Sequence, residues 1–446
     1  MPFEHEINLQ ALFKETDFSG NVVIAAVSGG SDSLALLLLL NDYLKQYQKH
    51  IRLVAVTVDH KLRKESYDEA LRVGEICAQY QIEHEIVIWK DEKPKSRLSE
   101  EARFARYNLL CNVAERLNCK VIMTGHTLDD QAETYEMRLK RGGQRGLAAM
   151  PRISLLYDKI KLVRPLLSCR RQSLRHYLTS HHMTWIDDPS NKNVAYERVQ
   201  IRNQMSEEKI NIASHQVQIA REKRQTQAEN VANLIAAINP VLKNDYLMFH
   251  PLPKNIINNE QFGFTLGVLA AIMGGASFLP THQQLDKIIS FAKSSNENFN
   301  RMTLMGAVIE KGKHQWKIWR ENRGVISKTL NAFEKTIWDG RFLIENQSSD
   351  KLLIEPATMK FLKQLEKNEV KQNEKSHYAS LLVSPIIRQN AKIDAPIIMG
   401  EMKNIQNVFI SRIMKPFYWV ISGDDFVMVD KLKPIFYQKY VYNEKN

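Results

Sequence analysis

Six consecutive residues, Ser28-Gly29-Gly30-Ser31-Asp32-Ser33, lie between a β-branched run and an amphipathic one. Glycines let a backbone bend close to a ligand, while hydroxyls and the free N–H groups of a helix start donate hydrogen bonds to anions. The chemistry this implies is phosphate binding. Asp32, a carboxylate among phosphate donors, suits an Mg²⁺ ion that travels with a nucleotide. The segment lacks the lysine and length of a Walker loop and the three spaced glycines of a dinucleotide fingerprint. The plain alternative is a Gly-Ser turn with an N-cap.

Asp129, Asp130 and Glu133 open a second helix, and their spacing brings carboxylates to one side of it. A helix start favours acidic caps, so Asp129 is expected to be the cap and the others to hold Mg²⁺ or an ammonium group. Arg103 and Arg106, three apart on a helix, can present both guanidiniums to phosphates from one face, although a solvated basic helix balanced by Glu100 and Glu101 would have the same pattern. His126 ends a strand near the carboxylates, and Arg198 and Arg202 stand four apart at a helix start. His181-His182 has no carboxylate or cysteine beside it and reads as surface. Asp187-Asp188-Pro189-Ser190-Asn191 reads as a turn. The four cysteines, Cys77, Cys111, Cys119 and Cys169, include no Cys-x-x-Cys pair, against a zinc ribbon, a cluster site or a dithiol centre.

The elements that must position these groups alternate. Strands are expected at 22–27, 53–58, 84–89 and 120–124, with helices at 33–47, 65–80, 99–117 and 129–140, the order of a doubly wound parallel α/β sheet. Ligands of such sheets lie beyond the carboxyl ends of the strands, so the loops at Ser28, Asp59 and Gly125 should share one crevice. After Pro165 the pattern gives a helix at 170–181 and one long basic helix at 199–237. A mainly helical module and a β-rich module follow, with a charged surface loop at 365–376. Domains are expected at 1–215, 216–330 and 331–446. With 446 residues, 44% hydrophobic and 25% charged, the chain has the composition of a folded globular protein. A net charge of +12 favours polyanionic partners, nucleic acid first among them. The beginning of the chain has no long apolar core, and the runs at 34–40 and 266–279 are too short to span a bilayer, so a location inside the cell, without membrane, is expected.

The Ser-Gly-Gly-x-Asp-Ser stretch after the first strand resembles the pyrophosphate loop of the N-type ATP pyrophosphatases, which cleave ATP between its α- and β-phosphates and pass AMP to an acceptor. Further stretches resemble the tRNA(Ile)-lysidine synthetases: Val58-Asp59-His60-Lys61-Leu62-Arg63, Glu101 to Tyr107, Thr124 to Thr134, Arg141-Gly142-Gly143 with Gly146-Leu147, Arg164-Pro165-Leu166-Leu167 and Trp185 to Asn191. The likeness is strong over 22–202 and weak beyond. It implies an adenine nucleotide alpha hydrolase-like catalytic domain with a long helical linker and two smaller carboxyl-terminal domains that bind tRNA. ATP would be bound by Ser28, Gly29, Gly30, Ser31, Asp32, Ser33, Asp59, His60 and His126, with Mg²⁺ on Asp32. Catalysis would rest on Asp32, Arg103, Arg106, Asp130 and Glu133, and substrate binding on Arg63, Arg141, Arg198 and Arg202. The implied partners are the isoleucine tRNA with a CAU anticodon and L-lysine, in the cytoplasm, with a homodimer as one option for assembly. Where the family's helix carries Arg-Asn, this chain has Arg198-Val199. A tRNA thiolation enzyme shares the phosphate loop but would be expected to use paired cysteines. A small-molecule ligase would not need the basic extensions, and a non-catalytic RNA-binding module would not need Asp32 or the carboxylates.

Overall fold

The computed structural model describes residues 7–18, 20–94, 96–187, 193–294, 300–368 and 377–440. Two compact units emerge from their contacts, Met1–Gln225 with Val420–Asp425, and Thr226–Trp419 with Phe426–Asn446.

The first unit runs α1 (Leu9–Phe13), β1 (Val22–Ala26), α2 (Ser31–Tyr47), β2 (Arg52–Asp59), α3 (Ser66–Gln79), β3 (Glu83–Ile88), α4 (Leu98–Arg116), β4 (Val121–Thr124) and α5 (Leu128–Lys140). It continues through β5 (Ile153–Leu156), β6 (Ile160–Val163), α6 (Arg171–Ser180) and α7 (Glu197–Asn203), and the helix α8 (Glu207–Ile238) leads the chain out of it. The sheet order is Val420–Ser422, β5, β6, β4, β1, β2, β3. From β6 to β3 all neighbours are parallel; β5 and the edge strand Val420–Ser422 are antiparallel additions. This is the expected doubly wound sheet. Its central strands are apolar without alternation, as burial on both faces requires: Val23, Ile24 and Ala25 of β1 and Val54, Ala55 and Val56 of β2 are buried.

The run Leu34–Leu40 is buried all round. Such a helix belongs inside a core rather than on a surface. It packs with Leu174 and Leu178 of α6 in one cluster. Chain order reverses between β1 and β4, and there Ala26 lies level with Val56 and Thr124. The crevice of a doubly wound sheet opens at that switch point.

Three features differ from the sequence pattern. The hairpin β5–β6 and the strand Val420–Ser422 extend the sheet, because Leu156 pairs with Val420, a partner 264 residues away that no local pattern reveals. The single basic helix is broken into α7 and α8, with the Ser206 hydroxyl accepting from Lys209 N (3.2 Å) and Glu207 and Glu208 in the first turn of α8. That is the chemistry of a helix start. In the supposed loop at 365–376, residues 365–368 end a helix (Met359–Asn368), and the rest lies outside the described residues.

The second unit sets its helices Phe262–Gly274 and His282–Lys293 beside a five-stranded antiparallel sheet opened by Val241–Lys243 and Tyr246–Phe249, and adds two four-stranded sheets. Asp245, buried, takes guanidiniums from Arg341 (2.8 Å) and Arg412 and the Ser384 hydroxyl (2.8 Å). Buried charges persist only when paired in this way. No helix of the described residues is long and apolar enough to cross a membrane.

Asp425, next to the edge strand, is buried between Arg145 and Arg224, the latter with Nε 3.0 Å from Oδ1. Replacing it removes the carboxylate that pairs directly with both buried guanidiniums, so Asp425→Ala is expected to cost the first unit about 3 kcal/mol in a urea titration. A loss below about 1 kcal/mol, the scale of an exposed pair, would contradict this role.

Candidate nucleotide and substrate site

The loop between β1 and α2 is stitched by its own hydroxyls. Ser28 N donates to Ser33 Oγ (3.1 Å), Ser33 Oγ donates to the Gly30 carbonyl (3.0 Å), and Ser31 Oγ donates to Asp32 Oδ1 (3.1 Å). Gly29 has φ +85°, and a Cβ there would stand 2.6 Å from Ile186 Cδ1, while its carbonyl accepts from Ile186 N at 2.9 Å. Glycine is therefore required on both conformational and steric grounds. Gly125, after β4, lies against the start of α2: a Cβ would fall 2.6 Å from the Asp32 carbonyl oxygen. The loops after β1 and β4 are thereby fixed against one another.

A cavity of about 570 Å³ opens above them. Of the residues expected at a site, it is lined by Ser28, Gly30, Ser31, Asp32, Ser33, His60, Arg106, His126, Asp130 and Arg202. Gly29 supports the loop from behind. Asp59 is buried and closes the turn after β2, its Oδ1 accepting from Lys61 N (2.8 Å) and Ser66 Oγ (2.6 Å). Arg63 pairs with Glu69 (2.8 Å) and Arg141 forms an exposed pair with Glu197; neither lines the cavity.

Arg103 and Arg106 lie over the ring of buried Tyr107, 5.1 and 5.2 Å from its centroid. Burial pushes the Tyr107 phenol up, yet Arg103, Arg106 and Arg164 around it bring it down to about 8. The same group of arginines affects His126: burial, then Arg164 and Arg106, hold its pKa well below the ordinary 6.5. Burial and Arg106 bring His60 to about 4. Both imidazoles are neutral at physiological pH, so they offer hydrogen bonds without adding to the positive charge of the arginines.

The carboxylates do not divide their roles as expected. Thr127 is the N-cap of α5, and Asp130 closes the capping box, its Oδ2 accepting from Thr127 N at 2.8 Å. Asp129 faces α6 instead, where Oδ2 accepts from Arg171 N (2.8 Å) and pairs with Arg170. The cap expected at Asp129 thus belongs to Asp130, because residue N3 of a helix is the one that reaches back to the N-cap N–H.

Asp130 Oδ1 also takes Arg198 (2.9 Å) and Arg171 (2.8 Å). Glu133, buried, takes Arg198 (2.7 Å), Arg202 (2.7 Å) and Arg171 (3.3 Å). Asp32 Oδ2 takes Arg171 Nε at 2.9 Å. Arg171 and the cavity-lining Arg175 were not among the expected site residues. One signal pointed to them. Arg170 and Arg171 stand at the N-terminal end of α6, where the helix dipole disfavours cations, so nearby carboxylates had to compensate. Val199, in place of the family's Asn, is buried on α7.

Among the described residues, no group of three or more Asp, Glu, His or Cys side chains forms a metal cage. Asp32 lies within the phosphate loop and lines the cavity, a donor that fits Mg²⁺ brought by a nucleotide, since that ion keeps waters and phosphate oxygens and needs one or two carboxylates. Cys77, Cys111 and Cys119 are buried free thiols; burial raises Cys77 to about 11 and Cys111 to about 12. No cysteine lines the cavity.

A glycine- and serine-rich anion loop at the switch point of a parallel sheet defines a nucleotide-binding protein, and residues 2–209 match the PP-loop domain family. The chain is 36% identical to the tRNA(Ile)-lysidine synthase of Bartonella quintana (strain Toulouse) over 95% of its length and 97% of that protein's. It is 38% identical to that of Brucella anthropi, covering 94% and 95% of the two. It belongs to the tRNA(Ile)-lysidine synthase family. Among solved structures, a U34-tRNA thiolase of Methanococcus maripaludis aligns with 47% of this chain and 76% of its own at 20% identity, with a TM-score of 0.41.

Two of the three carboxylates bound by Arg171, Glu133 and Asp32, differ in what they do for the fold. Burial would raise the Glu133 pKa, but Arg202 and Arg198 overcome it and hold it below the ordinary 4.5. Glu133 therefore contributes stability above that value, which is lost as pH falls through its folded pKa. Asp32 is raised above 3.8 by burial, only partly offset by Arg171. Its contribution is present at low pH and lost as pH rises through the folded value. At pH 7, Glu133→Gln should lower stability by about 3 kcal/mol, whereas Asp32→Asn should melt at or above the parent temperature. Thermal melts that reversed this order would refute the assignment.

Proposed function

We propose that the chain ligates lysine to carbon 2 of the wobble cytidine of the CAU-anticodon isoleucine tRNA, releasing AMP and pyrophosphate and changing decoding from AUG to AUA. The observation that carries this reading is one cavity lined by the phosphate loop, by Arg106 and by the carboxylates of Asp32 and Asp130, in a chain similar to tRNA(Ile)-lysidine synthases over 95% of its length.

In the first step, the cytidine carbonyl oxygen attacks the α-phosphorus and the bond to pyrophosphate breaks. Ser28 to Ser33 bind the departing phosphates, and Arg106, with Arg103 behind it, neutralises charge at the pentavalent phosphorus. Mg²⁺, held by Asp32 when bound with ATP, would neutralise phosphate charge. His60 and His126, being neutral, hydrogen-bond to base or nucleotide. In the second step, the lysine side-chain nitrogen bonds to carbon 2, AMP leaves with the former carbonyl oxygen, and the amine sheds a proton. Asp130 and Glu133 supply the negative charge that receives lysine, with Arg198 and Arg202 orienting them. Arg63 and Arg141, away from the cavity, serve tRNA phosphates.

The extensions after residue 216, divided near 330, would hold the tRNA body through contacts that weaken with salt. A single-stranded anticodon loop lowers the cost of unstacking the target base. Such chemistry belongs in the cytoplasm. Sulfur transfer is disfavoured, since it would be expected to use paired catalytic or cluster cysteines and no cysteine lines the cavity.

Incubation of the protein with labelled lysine, ATP and total tRNA should place label in a single isoleucine isoacceptor. Label in no tRNA would overturn the reading, as would label spread over many. The Arg103→Ala and Arg106→Ala variants should lose at least a hundredfold in this assay, about 2.7 kcal/mol of transition-state stabilisation.

A further inference from the structure

Arg171 occupies an unusual position. Its guanidinium touches three carboxylates from two elements: Asp32 of the phosphate loop (2.9 Å), Asp130 (2.8 Å) and Glu133 (3.3 Å) of α5. Arg198 and Arg202 of α7 contribute two more cations to the same carboxylates. Three negative charges therefore face three positive ones, while Asp129 and Arg170 balance one another alongside. A fourth cation, the ammonium of an amino-acid substrate, would enter a cluster already neutral and gain little by doing so.

We propose that Arg171 is an exchange cation that couples the two substrate sites: nucleotide phosphates draw it off the carboxylates, and its departure uncovers Asp130 and Glu133 for the ammonium group of lysine. This inference rests on the proposed function and adds an order of binding to it, nucleotide before amino acid.

Position singles out Arg171 from the other two arginines. Arg198 and Arg202 pair with the carboxylates of α5, whereas Arg171 bridges α5 and the phosphate loop. A phosphate in that loop lies within a side-chain rotation of the guanidinium, and a guanidinium pairs with phosphate as well as with carboxylate. One helical turn on, Arg175 lines the same cavity, its Nε 3.4 Å from Ser31 Oγ, so α6 already directs a second cation at the loop. With Arg171 drawn to the phosphates and Asp32 on the nucleotide's Mg²⁺, the places Arg171 held on Asp130 and Glu133 stand open to the lysine ammonium. The magnesium nucleotide, itself net negative, leaves the whole site with charge for one more cation.

Calorimetric titration of the full chain with L-lysine, with and without a magnesium complex of a non-hydrolysable ATP analogue, tests this. Lysine should bind at least tenfold tighter with the analogue, and by reciprocity lysine should tighten analogue binding by the same factor. In Arg171→Met, a variant first checked by thermal melting, lysine should bind equally well with and without the analogue. An affinity of the parent protein for lysine that the analogue leaves unchanged, or lysine binding undetectable even with the analogue, overturns the proposal whatever the variant does. Retention of the tenfold coupling in a folded Arg171→Met overturns it too. Lysine incorporated into tRNA without this coupling contradicts the exchange alone; absence of incorporation contradicts the function on which it rests.

Discussion

The catalytic unit depends on placing like charges together at the switch point between β1 and β4. Asp32, Asp130 and Glu133 would repel one another there, and they coexist because Arg171, Arg198 and Arg202 are interleaved with them. The arginines come from α6 and α7, so the helices after the sheet complete the site instead of merely covering it. Interleaving gives each buried carboxylate a cationic partner, and any one of those partners can be exchanged for a substrate charge.

Around this cluster the fold separates two electrostatic environments within one cavity. On one side burial, helped by Arg106 and at His126 also by Arg164, holds the pKa values of His60 and His126 low, and the arginines favour phosphate. On the other side carboxylates face the space where an amine must arrive. An ATP-dependent ligation needs both, since its first reactant is polyanionic and its second cationic.

What could be read from the sequence was what is encoded locally. The phosphate loop was legible because strand, glycines, hydroxyls and helix start are contiguous, and the alternating elements from Val22 to Lys140 were legible from periodicity. Asp130 and Glu133 could be placed on one face of a helix, but the partners of each depended on residues 38 to 69 positions away. The capping contact expected of Asp129 fell to Asp130 through one residue of cap register, and capping sequences are ambiguous when acidic residues adjoin. Val420–Ser422 could not be assigned to the first sheet at all, because strand pairing at such separation leaves no periodic trace. Arg171 lay in a helix expected at 170–181 to which no chemistry was assigned.

In the proposed reaction AMP becomes attached to tRNA before lysine reacts. The most direct measurement uses ATP labelled at the α-phosphorus, incubated with the protein and isoleucine tRNA while lysine is withheld. The account predicts that label appears in tRNA, stays there, and is released as AMP when lysine is added. If label never reaches tRNA without lysine, or enters it and is not discharged by lysine, the two-step chemistry assigned to this cavity is wrong.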